Sequence, residues 1–291
     1  MKKIVIFIIL ISFFSGIIMV FTDSCFCREY RFNNLYVGGN GFGNYSKIQD
    51  AINNASDGVK IFVYKGNYDE NISINKSISL IGKNRKYTKI LNCIEIKANN
   101  TLLSGFTVKG SSNKSKNNEE LIAIKIFGFN NCKIKDNVLS NKNYGIYIKN
   151  SSNNIINDNY ISNNSYGVFL SNNCKNNLFY HNNFFNNSLN SYDKENNTWF
   201  NVSLKQGNYW DDYEGSDKNN DGIGDIYYNI SGGENKDKFP LVMPYYGKVV
   251  IKEFYVNNEQ LYQMLFIGLI AAILFCLPIA YYLYRKYRKE K

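Results

Sequence analysis

Ala123-Ile-Lys-Ile-Phe127, Gly145-Ile-Tyr-Ile-Lys149 and Gly167-Val-Phe-Leu-Ser171 follow one another at intervals of 22 residues. Behind each comes the same order of events: an Asn, an apolar residue three on, an Asn three further and an apolar residue two after that. The sets are Asn131/Ile134/Asn137/Leu139, Asn153/Ile156/Asn159/Ile161 and Asn176/Phe179/Asn182/Phe184. A unit this short cannot bury its apolar face alone, but stacked copies build a continuous core. Apolar residues alternate within each opening stretch (Ile124/Ile126, Ile146/Ile148, Val168/Leu170), which is the two-residue period of a strand. The interval leaves no room for a crossover helix, so the strands are expected to be successive coils of a parallel β-helix. Asn returning at one phase suits its inward turns, where stacked side-chain amides bond the coils above and below as a ladder.

Upstream, Gly38-Gly39-Asn40-Gly41-Phe42-Gly43 precedes a run in which Ile48, Ala51, Ile52 and Ala55 fall at helical spacing. The spacing predicts a short amphipathic helix that covers the open end of the β-helix, where strand edges and apolar residues would otherwise be exposed. The stretch from Val59 to Tyr64 reads as the first strand. Others are expected at Ile72/Ile74, Ile78/Leu80, Cys93 to Lys97, Leu102/Leu103 and Phe106 to Lys109. Residues 110–120 are polar and aperiodic, an excursion from the coil. Regular coils run from Leu121 to about Ser188. Past that point the period fails and the composition shifts to Trp, Tyr, Gly and Asp.

The chain's ends have a different character. Lys2-Lys3 and the apolar run from Ile4 to Phe21 read as a secretory signal peptide or a signal anchor over residues 1–24. Residues 261–284 carry no charge and are long enough to span a bilayer with some tilt, and the basic tail 285–291 acts as a stop on the cytoplasmic side. A single-pass protein of the cell membrane is expected, with its ectodomain outside and its C-terminus in the cytoplasm. Of the net charge of +10, Lys2 and Lys3 contribute two and the tail four, which leaves four on the ectodomain. That mild excess argues against a nucleic-acid partner and leaves an anionic glycan electrostatically acceptable.

The six Cys follow no motif. Cys132 and Cys174 belong to coils two apart, which separates them by about 9.6 Å at the interstrand spacing, beyond the ~7 Å that a disulfide spans. They read as small core or turn residues. About a dozen Asn-x-Ser/Thr sequons occur, among them Asn71, Asn99, Asn163 and Asn229. In an exported domain these are glycosylation acceptors, although a chain so rich in Asn and Ser generates them by chance.

Three segments resemble the N-terminal coil signature of pectin-lyase-like right-handed β-helix proteins: Ile48-Gln-Asp-Ala-Ile-Asn-Asn-Ala-Ser-Asp-Gly58, Gly66-Asn-Tyr-Asp-Glu-Asn71 and Lys76-Ser-Ile-Ser-Leu-Ile-Gly82. The Asn-laddered coils are followed by Gly207-Asn-Tyr-Trp-Asp-Asp-Tyr213, then Asp221-Gly-Ile-Gly-Asp225, and close on Phe239-Pro-Leu241. Together they look like the NosD-type β-helix family over roughly residues 35–245. The resemblance implies the fold and export. It also brings in copper, because the family's name-giving member assists maturation of a copper enzyme.

Four constellations bear on chemistry. In Asp217-Lys-Asn219-Asn-Asp221-Gly222-Ile223-Gly-Asp225, oxygen ligands stand at positions 1, 3, 5 and 9, a Gly at 6 and the Ile223 carbonyl at 7. This matches the start of an EF-hand-type calcium loop. Position 12 is Tyr228, so a closing carboxylate has to come from Asp211, Asp212 or Asp237. The competing reading is an Asn/Asp/Gly turn held by its own side chains. Second, Asp136, Asp158 and His181 each precede a ladder Asn and should stack in one row. They are the catalytic candidates if the chain is a carbohydrate-active enzyme, and left-handed turn residues if it is not. Third, outward Tyr147, Tyr160 and Tyr180 are candidates to stack on sugar rings. Fourth, a copper ligand set is not evident, since the chain has one His, four Met and scattered Cys.

The architecture expected is all-β, a right-handed parallel β-helix with an N-terminal capping segment (33–58), coils (59–200), an irregular Asp/Gly/aromatic region (201–258) and the C-terminal transmembrane helix. The function expected is binding or structural at the cell envelope, contacting polysaccharide or surface proteins, with calcium as the cofactor. The balance is against an enzyme. The alternatives are a lyase, hydrolase or epimerase acting on an anionic polysaccharide, and a NosD-like copper-site accessory role.

Overall fold

A computed structural model describes residues 34–110 and 122–246. The expected signal or anchor (1–24), the expected transmembrane span (261–284), the basic tail (285–291) and most of the expected 110–120 excursion lie outside the described residues. Within them no helix is long and apolar enough to cross a membrane.

The chain winds as a parallel β-solenoid of the right-handed type with about eight turns, consistent with the right-handed sense that crossovers between parallel strands adopt. One coil illustrates the winding. Lys133–Lys135 lies in sheet one, Val138–Ser140 in sheet two and Tyr144–Lys149 in sheet three, and Ile155–Asn157 returns to sheet one directly on Lys133–Lys135. Sheets one and two hold seven strands each and sheet three holds six. Winding begins earlier than expected, at Leu35–Val37, which pairs with Lys60–Val63. It also continues past Ser188. Leu189–Tyr192 adds to sheet three and Tyr209–Trp210 to sheet two, both in parallel. The repeat is lost to the eye there because the last coil is lengthened around Trp199.

Parallel in-register pairing places identical positions of successive coils above one another. Inside sheet one, Ile61, Leu80, Leu103, Ile134, Ile156 and Phe179 form one column in which none is exposed. The column inside sheet two runs Ile90, Val108, Leu139, Ile161, Phe184 and Trp210. Toward the C-terminal end the aliphatic columns become aromatic: Phe179 stacks on Trp199 at 4.1 Å, and Phe184 on Trp210 at 4.3 Å.

At the corners of the coils from 131 to 187, residues of left-handed backbone precede an inward one. Asp136, Asp158 and His181 (φ 55°, 60° and 58°) precede Asn137, Asn159 and Asn182 at the corner from sheet one to sheet two. These second residues form the expected ladder. Each Nδ2 donates to Oδ1 of the next, at 3.1 Å from Asn137 to Asn159, 3.0 Å from Asn159 to Asn182 and 2.9 Å from Asn182 to Asn208. The other expected phase needs correction. Asn131, Asn153 and Asn176 are exposed left-handed residues, and the ladder is made one position later by Asn154, Asn177 and Asn197. An Asn adjacent to an Asn made the two positions indistinguishable by spacing. A third ladder, through Asn164 and Asn187, runs at the corner between sheets two and three.

All three ladders point their donors toward the C-terminus, so each last amide faces an acceptor other than a further ladder Asn. Carboxylates supply it. Asn208 bonds Asp237, Asn197 bonds Asp193, and Asn190, which accepts from Asn187, bonds Asp211 and Asp212. Asp193 and Asp237 are fully buried.

At the other end the helix Ile48–Asn54 buries Ile48, Ala51 and Ile52. Its partners come from one coil. The Glu70 carboxylate accepts from the Ile48 and Gln49 amides at 2.9 and 3.1 Å, and Lys76 Nζ donates to the Asn53 carbonyl at 2.6 Å, so opposite charges sit at the two ends of the helix dipole. The Gln49 side-chain amide bonds both the N–H and the carbonyl of Ser73, occupying edge groups of the first strand of sheet three.

Candidate functional site

The outward positions of sheet three form rows just as the inward ones do. One row reads Ser73, Glu95, Lys125, Tyr147, Phe169 and Tyr192. Beside it Tyr144 lies over Tyr166, their rings 5.1 Å apart and nearly parallel. Tyr147 and Phe169 meet edge to face at 5.2 Å, and Phe169 and Tyr192 stack at 4.8 Å. The interstrand spacing of about 4.8 Å is close to that of packed aromatic rings, so one ring per coil closes into a continuous apolar band.

Where the row changes from rings to Lys125, Glu95 and Ser73, the outer surface steps down into a cavity of about 260 Å³. Phe127 and Tyr147 line it together with Asn71, Ser73, Glu95 and Lys125. Glu95 lies 2.6 Å from Lys97 Nζ and 2.9 Å from Lys125 Nζ. Burial alone would raise the Glu95 carboxyl, but the two ammonium groups outweigh it and hold it below the usual range. Lys125 Nζ also sits 4.8 Å from the centre of the Phe127 ring.

The three candidate tyrosines are not brought together. Tyr147 is on sheet three, Tyr160 on sheet two, where it stacks on Phe185 at 4.8 Å, and Tyr180 on sheet one, edge-on to His181. Each occupies an outward position, but they face three directions, so one ligand cannot bridge them. Spacing in the sequence says that a residue points outward and not from which sheet.

Asp136, Asp158 and His181 do align in a row, and their left-handed backbone is the turn geometry anticipated for them. Arg85, from a distant coil, pairs with Asp136 at 2.9 Å, and Asn157 Nδ2 donates to Asp158 at 2.6 Å. His181 is only 4% exposed. Its Nε2 lies 2.7 Å from Gln206 Oε1 and its Nδ1 3.6 Å from Asp158. Burial raises the Asp136 carboxyl, with Arg85 opposing and Asp158 adding to the rise. Neither Arg85 nor Gln206 carries a sequence signal for this meeting, because both reach the corner through the winding.

In the 217–225 loop the carboxylates accept from the loop's own amides. Asp217 takes Asp221 N at 3.1 Å and Gly222 N at 2.9 Å, Asp221 takes Ile223 N at 2.8 Å, and Asp225 takes Lys218 N at 3.0 Å. The Asn219 side chain bonds Asp221. Gly222 has a φ of +86° and open space around it, so it is required by backbone conformation rather than by crowding. Of the carboxylates expected to close this loop, Asp237 is buried against Asn208 and Trp210, and Asp211 and Asp212 hold Asn190.

Among the described residues no set fits copper. Cys132 and Cys174 are buried, hydrogen-bonded to the carbonyls of Ala98 and Ile148, and burial pushes both thiols up, away from the thiolate a soft metal needs. His181 Nε2 is engaged by Gln206. Among the described residues no three His, Cys, Asp or Glu side chains converge on a metal position.

A cell surface glycoprotein from Methanothermus fervidus is 40% identical over 75 residues, which are 24% of this chain and 13% of that protein. Solved structures with a similar trace include the pectin methylesterase PemA from Erwinia chrysanthemi, at 14% identity and a TM-score of 0.46, over 61% of this chain and 65% of that one. Another is the catalytic domain of a GH87 α-1,3-glucanase in complex with nigerose, at 17% identity and a TM-score of 0.45, over 60% of this chain and 33% of that one. The chain thus spans less than two thirds of each. A family model described as "Periplasmic copper-binding protein (NosD)" matches residues 26–215. With that match over well more than half its length, and with the laddered coils it covers, the chain belongs to the NosD family of β-helix proteins.

Proposed function

We propose that this chain is an exported, membrane-tethered β-solenoid that serves as a binding or structural module at the cell envelope, contacting glycans or surface proteins. The observation that carries the reading is the outward aromatic band of Tyr144, Tyr147, Tyr166, Phe169 and Tyr192 along sheet three, since a solenoid needs no rings on its outside to stay wound. The surface-glycoprotein relative supports it, as do the uncharged stretch 261–284 and its basic tail. On this reading the helix Ile48–Asn54 is the cap of the N-terminal end. The test is protease treatment of intact cells. The solenoid should be digested while a short C-terminal fragment stays with the membrane. Recovery of the whole chain, protected, in the soluble fraction would refute the reading.

The 217–225 loop is proposed to take a calcium ion through Asp217, Asn219, Asp221, the Ile223 carbonyl and Asp225, with weak affinity because these supply about five of the six to eight oxygens calcium prefers. Millimolar calcium should then raise the melting temperature, and Asp221→Ala should remove the increment. An unchanged melting curve would leave the loop as a self-bonded turn.

A further inference from the structure

We infer that the step at the N-terminal end of the aromatic band is a saccharide subsite that takes one neutral hexopyranose residue of an external glycan. The inference rests on the envelope-binding reading above and names where and how that binding occurs. Its basis is a change of side-chain type along one outward row. From Tyr192 through Phe169 to Tyr147 the row is aromatic, and from Lys125 through Glu95 to Ser73 it is charged and then small. The pitch of the coils is constant, so the drop in side-chain size makes the hollow. Its volume of about 260 Å³ lies just below the ~300–1,000 Å³ range of drug-sized ligand sites, which suits one ring rather than two.

The lining matches the two-sided chemistry of a sugar. A pyranose offers a patch of C–H groups on its face and hydroxyls at its edge. Phe127 and Tyr147, 4.8 Å apart and nearly perpendicular, form the apolar wall that meets the C–H patch. Glu95 and Lys125, held as an ion pair 2.9 Å apart, put an acceptor and a donor side by side, the spacing that vicinal hydroxyls require. Asn71 and Ser73 add polar groups at the rim. Lys97 on the other oxygen of Glu95 fixes the carboxylate, so the pair is ordered before a ligand arrives. Both lysines are already paired with Glu95, so neither presents an unpaired ammonium to a sugar carboxylate.

The reading is tested with the full-length chain, purified in mild detergent from a host without N-glycosylation so that the Asn71 sequon stays bare. Binding of neutral hexose, amino-sugar and uronate oligosaccharides is measured by glycan array and calorimetry. Retention of a neutral oligosaccharide is expected, with affinity falling at least tenfold in both Tyr147→Ala and Glu95→Gln and unchanged in Tyr160→Ala, which alters a ring on another sheet. Circular dichroism melts confirm that the variants fold. The inference is overturned if no neutral glycan is retained, if only uronates bind, or if Tyr160→Ala weakens binding as much as Tyr147→Ala does. Any of these would leave the protease result on intact cells untouched, so failure of the subsite is separable from failure of the surface reading.

Discussion

The indole nitrogen of Trp210 donates to Asp237 at 3.0 Å, onto the same carboxylate oxygen that terminates the Asn137–Asn208 ladder. Trp199 donates likewise to Asp193, at 3.0 Å, though onto the other oxygen from the one that ends the ladder through Asn154, Asn177 and Asn197. A solenoid that stops must leave its last donors facing something, and here each of two buried ladders ends on an acid that also holds the closing tryptophan.

Burial pushes the Asp237 carboxyl up to about 6, against four N–H donors from Asn208, Phe239 and Trp210 that favour its anion. A raised carboxyl pKa means that the folded state holds the proton more tightly than the unfolded chain does. The stabilisation is complete below the unfolded value and is lost as pH rises through the folded one. Asp193 is raised as well, also chiefly by burial. Stability, and the melting temperature with it, should therefore fall as pH rises from about 4 to about 7, by about 3 kcal/mol for Asp237 across the whole window. Asp237→Asn should flatten the profile. Tryptophan fluorescence followed through the titration checks it, and a rise in stability over that window would contradict it.

Asn159→Ala should cost about 3 kcal/mol or more, because the Asn137 amide and side chain lose their common acceptor inside the protein. Asn153→Gly, six residues earlier at an exposed left-handed position with φ 59°, should stay within about 0.5 kcal/mol. Urea unfolding of the two variants separates ladder from turn.

Gly82 and Gly105 face each other on adjacent coils, and a Cβ on Gly82 would overlap the Gly105 carbonyl oxygen. Gly82→Ala is expected to cost about 2–3 kcal/mol through backbone displacement. Gly128→Ala meets open space and should cost only the ~1–2 kcal/mol of a left-handed alanine. Thermal melts of both variants provide the comparison.

Ile156 lies between Ile134 and Phe179 with no exposure, so Ile156→Asp should leave no folded solenoid. His181→Asn keeps a residue that tolerates φ 58° and loses the Gln206 contact, for about 1 kcal/mol. Equal melting temperatures for the two would mean that the coil register is wrong.

The coil register was legible wherever the period held. Ile124/Ile126, Ile146/Ile148 and Val168/Leu170 announced sheet three, and Asn137, Asn159 and Asn182 announced one ladder. Reading failed where two neighbours share a type. At Asn153-Asn154 and Asn176-Asn177 an exposed turn residue stands before the buried ladder residue; the same order at Asn163-Asn164-Ser165 is also a sequon, so one corner rule generates the glycosylation motif.

The sequence by itself determined that the chain winds, with what period, and which apolar residues face in, because strand alternation and stacking are local and repeat. Only the tertiary structure decided which outward residues share a face and what ends each ladder. Tyr147, Tyr160 and Tyr180 were equivalent by spacing and lie on three sheets. Asp237 stood as a candidate to close the calcium loop and Asp193 carried no reading, and both are buried against the closing tryptophans. Such assignments depend on the winding angle and on the last coil, and no window of 22 residues contains either.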